Sequence, residues 1–451
     1  MKKSLSKKTA NIIKAVVFIL LLVVSIAFVS SFFGLDEISS YEHQADFLKE
    51  NKDSLDAVYF GGSDVHVLFQ PAFAWEKYGI AVWDYSVNTV QPESIKYFMD
   101  DVHKRQPNAL YIISINSFKR EPSEDGNVEM HRNLDYMPFS FNKLALTHEL
   151  TTKFEKSPID SLEYYLPIIR FHSRWDELDS FVFGASSIDY KGSRHTANFT
   201  SDVYDISKRY FVKSDRVEVQ DNVLKAFNDV LDYCDKQKLN AIFVKVPQVI
   251  RTEWQGRMNT MEDLAVSRGY PVINMMENTA EFNIDFSMDY YDLAHTNVHG
   301  SKKLTDYFAK YLVDNYHFED KRGKPGWESW DKAADSYMKY LNTYIFPFEF
   351  DDSPRIDTDV PKLNSLKVSG TTATLTWSPV ENATKYYIYR KAGSGEWKRI
   401  NSVDADKTSY TSKNLAKSTT YTYTVVPVVK KGGVMYYGDF NVKGLSGKTG
   451  A

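Results

Sequence analysis

The chain has 451 residues, which is too long for one ordinary domain and predicts two or three. Hydrophobic residues make up 43% of the chain and charged residues 25%, which are globular values. The net charge is −4 and no long basic run follows the first 14 residues, so nucleic acid is excluded as an expected partner. The single cysteine, Cys234, cannot form an internal disulfide, and no Cys/His cluster has zinc-site spacing. We therefore expect no metal and no cofactor.

The N-terminus carries a lysine cluster followed by an apolar run from Ala15 to Phe33. The run has 19 residues with only serines as polar groups, and it nearly matches a bilayer core of roughly 30 Å. Lysines stay on the cytoplasmic side, so residues 1–35 are predicted to be a single-pass anchor in the cell membrane, with the C-terminal bulk extracellular. The alternative is a signal peptide cleaved after Ser25-Ile26-Ala27.

Residues 55–316 alternate short apolar segments with amphipathic ones, within a predicted domain spanning 36–345. The amphipathic segments include residues 92–106, 221–237 and 257–269. Alternation of this kind predicts an α/β fold with a doubly wound, five-stranded parallel sheet and ligand sites at the carboxyl ends of the strands. The five predicted strands are DAVYF (56–60), AVWDYSV (81–87), ALYIISI (109–115), AIFVKV (241–246) and PVINM (271–275).

One long insertion, residues 118–216, interrupts the alternation and is rich in aromatic and basic residues. An insertion after a strand end lands beside the expected site, so this segment is predicted to shape a substrate cleft or lid. His172, Arg174 and Trp175 form a compact polar and aromatic group that could bind an anionic or sugar substrate. The alternative is a salt bridge internal to the insertion.

Residues 346–361 are rich in proline and acidic residues and are predicted to be a linker. After them, residues 362–449 contain short alternating segments at even spacing, which predicts a small all-β sandwich. Trp377 in LTWSPV and the tyrosines of KYYIYR and TYTYTVVP are motifs that resemble those of a fibronectin type III domain.

A candidate nucleophile, Ser63, follows the first predicted strand in the segment YFGGSDV (59–65). Gly61 and Gly62 permit a tight turn off the strand, and the next residues can start a helix. Such a turn would expose the Ser63 hydroxyl and point backbone N–H groups toward an oxyanion. A Gly-Gly-Ser segment is also the sequence of an ordinary turn.

A candidate base and its orienting acid, His295 and Asp292, lie just before the last helix of this domain, in YYDLAHTNVHG. Their separation lets the carboxylate reach Nδ1–H of the imidazole and leaves Nε2 free to face a hydroxyl from elsewhere. Asn297 could cap the helix that follows. The alternative for the whole segment is a surface helix cap.

A serine directly after the first strand, combined with D-x-x-H before the last helix, resembles the SGNH (GDSL-like) hydrolase family over roughly residues 55–316. FGGSD, FAWEKYGI and DLAHTNVHG resemble more closely the branch of envelope acyl-transfer proteins such as the DltD-like and alginate-acetylation proteins. The resemblance implies Ser63 as nucleophile, His295 as general base and Asp292 as its orienting acid.

The oxyanion donors depart from the pattern of that family, which usually supplies a glycine after the second strand and an asparagine after the third. No glycine lies between Asp84 and Ser94, and Asn88 is the nearest polar candidate. Asn116 in SINSFKR matches the asparagine roughly in position, although it could instead cap a turn. The backbone N–H of Ser63 is a donor in either case.

Together these patterns predict a membrane-anchored, extracytoplasmic serine esterase or O-acyltransferase. The expected partner is a cell-envelope polysaccharide or another acylated substrate, and the N-terminal helix would contact the membrane. Ser63 would form an acyl-enzyme, and water or a sugar hydroxyl would accept the acyl group. The alternative is a non-catalytic surface binding or scaffold protein that retains the fold.

Overall fold

The computed structural model describes most of the chain and shows two compact units, of which the first contains an α/β sheet and the second a β-sandwich. The described residues are 7–33, 47–119, 126–166 without 136 and 138, 168–173, 190–196, 210–345 without 283, 285, 287 and 288, and 355–450 without 394 and 396.

The chain begins with a long apolar helix, α1 (Lys7–Phe33). Its segment Lys7–Ile26 has a mean hydropathy of 2.4 and is not buried in the protein, so its length and composition suffice to cross a membrane. An apolar N-terminal helix of this kind serves either as an anchor or as a signal sequence.

The first unit is built on a five-stranded parallel sheet in the order β2-β1-β3-β4-β5, which confirms the predicted doubly wound fold. The strand order reverses at β1 and β3, and a ligand crevice is expected between their carboxyl ends. The strands are β1 (Ala57–Gly61), β2 (Val82–Ser86), β3 (Leu110–Ser114), β4 (Ala241–Lys245) and β5 (Val272–Asn274).

Apolar side chains fill a core on each face of this sheet, because successive residues of a strand point to opposite faces. Along β1, Val58 and Phe60 lie in one core, whereas Ala57 and Tyr59 lie in the other. A strand buried on both faces must be apolar at nearly every position, which explains why the sequence shows short continuous apolar runs.

Helices cover both faces of the sheet. The face with Tyr59 packs against α2 (Ser63–Leu68), α3 (Pro71–Tyr78) and α11 (Val298–Tyr316). The face with Phe60 packs against α4 (Pro92–His103), α9 (Asp221–Gln237) and α10 (Thr252–Ser267). A further helix, α12 (Glu328–Ile345), follows α11 in the chain.

The described part of the insertion contains four helices. They are α5 (Asn127–Leu134), α6 (Phe141–Lys153), α7 (Leu162–Tyr165) and α8 (Ile168–Phe171). Residues 174–189 and 197–209 of the insertion, which include Arg174 and Trp175, lie outside the described residues.

Residues 190–196 of the insertion run along the edge of the sheet and support the ends of two helices. The Asp84 N–H of edge strand β2 donates to the Lys191 carbonyl at 3.0 Å, which occupies an edge that would otherwise be open. The Arg194 N–H donates to the His66 carbonyl of α2 at 2.6 Å, and the Val298 N–H of α11 donates to the Thr196 carbonyl at 2.8 Å. This segment therefore connects the first turn of α11 with α2.

The second unit is a two-sheet antiparallel sandwich, which confirms the predicted all-β fold. One sheet has the order β10-β7-β6, and the other has the order β12-β11-β8-β9 with β13 paired to β11. The strands are β6 (Leu363–Ser369), β7 (Thr372–Trp377), β8 (Lys385–Ala392), β9 (Lys398–Asp404), β10 (Ser409–Ser412), β11 (Thr420–Lys431), β12 (Val434–Tyr437) and β13 (Leu445–Lys448).

The predicted linker is described only in its last residues, because residues 346–354 lie outside the described part of the chain. The Ile356 N–H donates to the Tyr437 carbonyl at 3.1 Å, and the Asp439 N–H donates to Thr358 Oγ1 at 2.9 Å. The end of this segment is thus hydrogen-bonded to the sandwich. The boundaries of the predicted domains stay a prediction.

Candidate active site

Ser63 is the first residue of α2 and lies two residues after the last residue of strand β1. Neither Gly61 nor Gly62 has a positive φ, so the turn does not need glycine for a left-handed backbone. Gly61 is required for space, since a Cβ there would lie 2.3 Å from Val65 Cγ2 and 3.0 Å from Ser114 Cβ. The close approach of α2 to the sheet thereby fixes the position of Ser63 at the strand end.

The loop before α11 holds Asp292 and His295. The Asp292 carboxylate accepts the backbone N–H groups of Ala294 and His295 at 2.8 and 2.9 Å, which folds the loop around the carboxylate. Asn297 caps α11, because its side-chain oxygen accepts the N–H groups of His299 and Gly300. The predicted cap is thus confirmed.

Ser63, His295 and Asp292 form one continuous hydrogen-bonded chain. Ser63 Oγ lies 2.7 Å from His295 Nε2, although the two residues are 232 positions apart. His295 Nδ1 lies 2.7 Å from one Asp292 carboxylate oxygen and 2.9 Å from the other. Because a carboxylate can only accept, Nδ1–H donates to Asp292, and Nε2 is left to accept the Ser63 hydroxyl proton.

The charge of Asp292 is stabilised by its hydrogen bonds. Burial alone would raise the pKa of this carboxyl, but donation from the His295 ring and from the two backbone N–H groups outweighs burial and lowers the pKa below its usual value. Asp292 is therefore ionised at neutral pH and can hold the imidazole in one tautomer.

A cleft of about 280 Å³ opens beside Ser63 and His295, at the carboxyl ends of β1 and β3. Its walls are mixed in character, as is usual for small-molecule sites. The apolar lining is formed by Val90, Pro92, Val249, Ile250, Trp254 and Leu293, and the polar lining includes Thr89, Gln91, Asn116, Lys119, Glu129 and Gln248.

Asn116 lines this cleft, but its side-chain amide already makes three hydrogen bonds. Its Oδ1 accepts the Val246 N–H at 2.9 Å, while Nδ2 donates to the Val246 carbonyl and to Gln248 Oε1, both at 3.0 Å. The side chain thereby continues the pairing of β3 with β4 beyond the strand ends. An oxyanion would have to compete with Gln248 for the second amide hydrogen, so an oxyanion role for Asn116 stays a prediction.

The other predicted site residues are not brought to the cleft in the described part of the chain. Asn88 is half-buried, and its neighbour Thr89 lines the cleft in its place. His172 is exposed, with Nδ1 2.9 Å from the Ile169 carbonyl, and it is absent from the described cleft lining. Arg174 and Trp175 lie outside the described residues, so a substrate-binding role for this group stays a prediction.

Sequence reasoning missed Gln248, Lys119 and Trp254, which all line the cleft. Gln248 follows β4 by three residues, so the rule that ligand sites lie at strand carboxyl ends could have pointed to it. Trp254 lies in the first turn of α10, where the Arg251 guanidinium is 5.2 Å from the ring centre. Among the described residues, no cluster of three His, Cys, Asp or Glu side chains could hold a metal ion.

Comparison with known proteins bears on the second unit. Residues 359–437 match the family described as fibronectin type III domain. The C-terminal unit is a fibronectin type III domain.

Solved structures similar to this chain include further fibronectin type III domains. The FN3 domain of human collagen XX is 27% identical, over 21% of this chain and 94% of that chain, with a TM-score of 0.16. The structure named FN3tt mut is 26% identical, over 21% of this chain and 96% of that chain, with a TM-score of 0.15. The FN1-FN3 domains of chicken CNTN1 are 22% identical, over 21% of this chain and 31% of that chain, with a TM-score of 0.18. No curated protein matched the chain.

The fibronectin type III domain has a core built on Trp377 and Tyr386, whose rings meet edge to face at 5.5 Å. Near the start of β11, the Tyr421 hydroxyl accepts the Ala416 N–H at 3.1 Å. A tyrosine that bonds back to the chain just upstream of its strand is a recurring feature of such sandwiches. The tyrosines of TYTYTVVP thus serve the sandwich itself.

Proposed function

We propose that the α/β unit is a serine-dependent acyl hydrolase or O-acyltransferase of the SGNH type. The observation that carries the proposal is the hydrogen-bonded chain from Ser63 Oγ through His295 to Asp292, at 2.7 Å for each link. A serine hydroxyl is too weak an acid to attack unaided, and a base with an oriented imidazole is the arrangement that activates it. The parallel sheet order is compatible with SGNH-like hydrolases.

In the proposed reaction, Ser63 Oγ attacks the carbonyl carbon of an acyl ester while its proton passes to His295 Nε2. Asp292 stabilises the imidazolium that forms. The backbone N–H of Ser63 has no partner within α2, because the first N–H groups of a helix lack one, and it can donate to the oxyanion. His295 then protonates the leaving alcohol, and water or a sugar hydroxyl attacks the acyl-enzyme to regenerate Ser63.

The substrate in this proposal is an acylated carbohydrate of the cell envelope. The N-terminal apolar helix supports a location at the membrane, either as an anchor or as an export signal. Trp254 and the polar side chains of Lys119, Glu129 and Gln248 give the cleft the mixed aromatic and polar lining that amphipathic sugars require.

A second candidate function is a non-catalytic surface protein that retains the fold. It is favoured by the oxyanion side of the cleft, where the Asn116 amide is bonded to Val246 and Gln248 and the block after β2 lacks a glycine. In that case the cleft would bind an acylated ligand without cleaving it.

Hydrolysis of p-nitrophenyl acetate by the full-length protein in detergent separates the two functions. We expect measurable turnover, and we expect Ser63→Ala and His295→Ala to lose it, since removing a nucleophile or base typically costs on the order of 10⁶ in kcat. Ser267→Ala and His148→Ala are matched controls, because both side chains are on helices outside the cleft lining. Equal, slow hydrolysis by all five proteins would support the binding protein instead.

A further inference from the structure

Gln248 is a buried side chain that touches both sides of the candidate reaction centre. It is only 1% exposed, and it follows β4 at the carboxyl edge of the sheet. Its side-chain amide makes three hydrogen bonds, because Oε1 accepts two and Nε2 donates one. Gln248 therefore connects the end of β4 with the segment after β3 and with the loop before α11.

On one side, Gln248 Oε1 accepts hydrogen bonds from two side chains of the segment after β3. Asn116 Nδ2 donates to Gln248 Oε1 at 3.0 Å, and Lys119 Nζ donates to the same oxygen at 2.5 Å. This acceptor sets the direction of one of the two Asn116 amide hydrogens, the one not bonded to Val246.

On the other side, Gln248 is bonded to the loop that carries the proposed base. Gln248 Nε2 donates to the Ala294 carbonyl at 2.9 Å, directly before His295. The adjacent Val249 N–H donates to the Leu293 carbonyl at 2.8 Å, so two bonds join this segment to the loop. The loop also wraps Asp292 through the Ala294 N–H.

We infer that Gln248 is a positioning residue that fixes the His295 loop and the Asn116 side-chain amide relative to each other and to Ser63. The inference rests on the proposed serine chemistry and adds a residue to it. If Gln248 is replaced by a side chain that cannot hydrogen-bond, the Ala294 carbonyl loses its donor and Asn116 loses an acceptor. The loop then keeps the Val249–Leu293 bond and the bonds to Asp292, and the imidazole is held less firmly beside Ser63 Oγ. A displacement of about 1 Å is enough to slow such chemistry on the order of 100-fold.

Labelling with an alkyl fluorophosphonate tests the inference without knowledge of the natural substrate. Ser63 Oγ would form a bond to phosphorus, fluoride would leave with the P–F electron pair, and the serine proton would pass to His295 Nε2. The second-order rate of labelling is measured on the full-length protein in detergent, and the labelled serine is identified by peptide mass spectrometry.

Two substitutions separate the hydrogen bonds that Gln248 Oε1 accepts from the one that Gln248 Nε2 donates. Gln248→Met keeps the length of the side chain and removes all three hydrogen bonds, and we expect labelling to slow on the order of 100-fold. Gln248→Glu keeps an acceptor for Asn116 and Lys119 but cannot donate to the Ala294 carbonyl, and we expect it to be slower than wild type and faster than Gln248→Met. With p-nitrophenyl acetate, kcat should fall while KM stays within about twofold of wild type.

Gln255→Met is the matched control. Gln255 is also a buried glutamine, and its amide accepts the Lys213 N–H and donates to the Phe211 carbonyl, both at 2.9 Å. It lies outside the cleft lining, so its loss should lower the melting temperature without slowing the labelling of Ser63.

The outcomes distinguish this inference from the proposed function. If the wild-type protein is not labelled at Ser63, the proposed function fails and the role of Gln248 fails with it. If Ser63 is labelled but both Gln248 variants react within twofold of wild type, only the role of Gln248 is overturned. Equal slowing by Gln255→Met would also overturn it, and if Gln248→Met does not fold, the rate of Gln248→Glu decides.

Discussion

Asp292 combines two tasks at the residue scale, because one carboxylate orients the imidazole and also folds the loop by accepting two backbone N–H groups. Asp292→Asn would separate these tasks. The asparagine oxygen can still accept the backbone bonds, but its NH₂ would face His295 Nδ1 and favour the tautomer with hydrogen on Nε2. That nitrogen could no longer accept the Ser63 proton.

We therefore expect Asp292→Asn to keep its melting temperature within a few degrees of wild type and to lose kcat by on the order of 10⁴. The check is p-nitrophenyl acetate hydrolysis together with thermal unfolding. A folded variant that retains full activity would show that the carboxylate acts on the loop alone.

Lys143 in α6 gives a second prediction at this scale, because its ammonium group is buried with one hydrogen bond, to the Met137 carbonyl at 3.2 Å. Burial lowers the pKa of Lys143 to about 8 in the folded protein, which outweighs the nearby Asp135 charge. Between that value and the ordinary lysine pKa, the unfolded chain binds more protons than the folded chain. The contribution of Lys143 to the free energy of unfolding should therefore rise with pH over this range and be flat below about pH 8.

In Lys143→Met this rise should be absent, and the variant should be more stable than wild type at pH 7, by at most on the order of 3 kcal/mol. Urea unfolding at pH 7 and pH 10 measures both effects. Lys236→Met, which removes an exposed lysine from α9, is the control and should keep the wild-type pH dependence. The same rise in Lys143→Met would mean that another group causes it.

A site residue could be predicted from the sequence when it belonged to a short motif with a recognisable spacing. Ser63, Asp292 and His295 stand in short patterns at the two ends of the domain, and the structure brings them within hydrogen-bond distance. Gln248 stands alone after a strand, and the role proposed for it rests on contacts with two segments that are distant in sequence. Asn116 was found by position, but its engagement with Val246 depends on strand pairing that the sequence does not display.

At the scale of elements, strands were predicted to within two residues because apolar runs mark them directly. The helix predicted at 257–269 begins at Thr252 in the structure. Residues 252–256 were not assigned to the helix because Trp254 is their only large apolar side chain, so they show no helical apolar period. The helix α6 was missed because Lys143, Thr147 and Thr151 occupy buried positions on its inner face. Polar residues at helical spacing conceal the period that an amphipathic helix normally shows.

Two tyrosines of the fibronectin type III domain give a prediction at this scale. The Tyr386 hydroxyl accepts the N–H of buried Val380 at 2.7 Å, whereas the Tyr421 hydroxyl accepts the N–H of exposed Ala416 at 3.1 Å. In the first case, removal of the hydroxyl leaves a buried donor unsatisfied. In the second case, water can replace the lost acceptor.

We expect Tyr386→Phe to destabilise the domain by about 2 kcal/mol and Tyr421→Phe by less than about 1 kcal/mol. Chemical unfolding followed by tryptophan fluorescence measures both. Neither substitution should change the labelling of Ser63, since Ser63, His295 and Asp292 all belong to the first unit. A larger loss of stability in Tyr421→Phe than in Tyr386→Phe would contradict the assignment of the Val380 N–H as the more buried donor.

At the scale of the whole molecule, α1 decides where the protein resides, and we propose that it is kept as an anchor. Expressed with its native N-terminus, the protein should then stay in the membrane pellet after alkaline carbonate extraction, and mass spectrometry should recover N-terminal peptides with the lysine cluster. Ala27→Leu removes the small residue of the Ser25-Ile26-Ala27 segment and should change neither the membrane location nor the N-terminal peptides. A soluble wild-type protein that begins after Ala27, together with a membrane-bound Ala27→Leu variant, would show a signal peptide instead.

The end of α1 at Phe33 limits how far the cleft can operate from the bilayer. Residues 34–46 separate α1 from the first described residue of the α/β unit, Phe47. Thirteen residues span at most roughly 45 Å even when fully extended. With α1 retained as proposed, the α/β unit stays in a thin layer next to the membrane, where a co-localised substrate reaches millimolar effective concentrations. For the proposed acyl transfer, weak intrinsic affinity would then be sufficient, and KM values for soluble substrates should be correspondingly high.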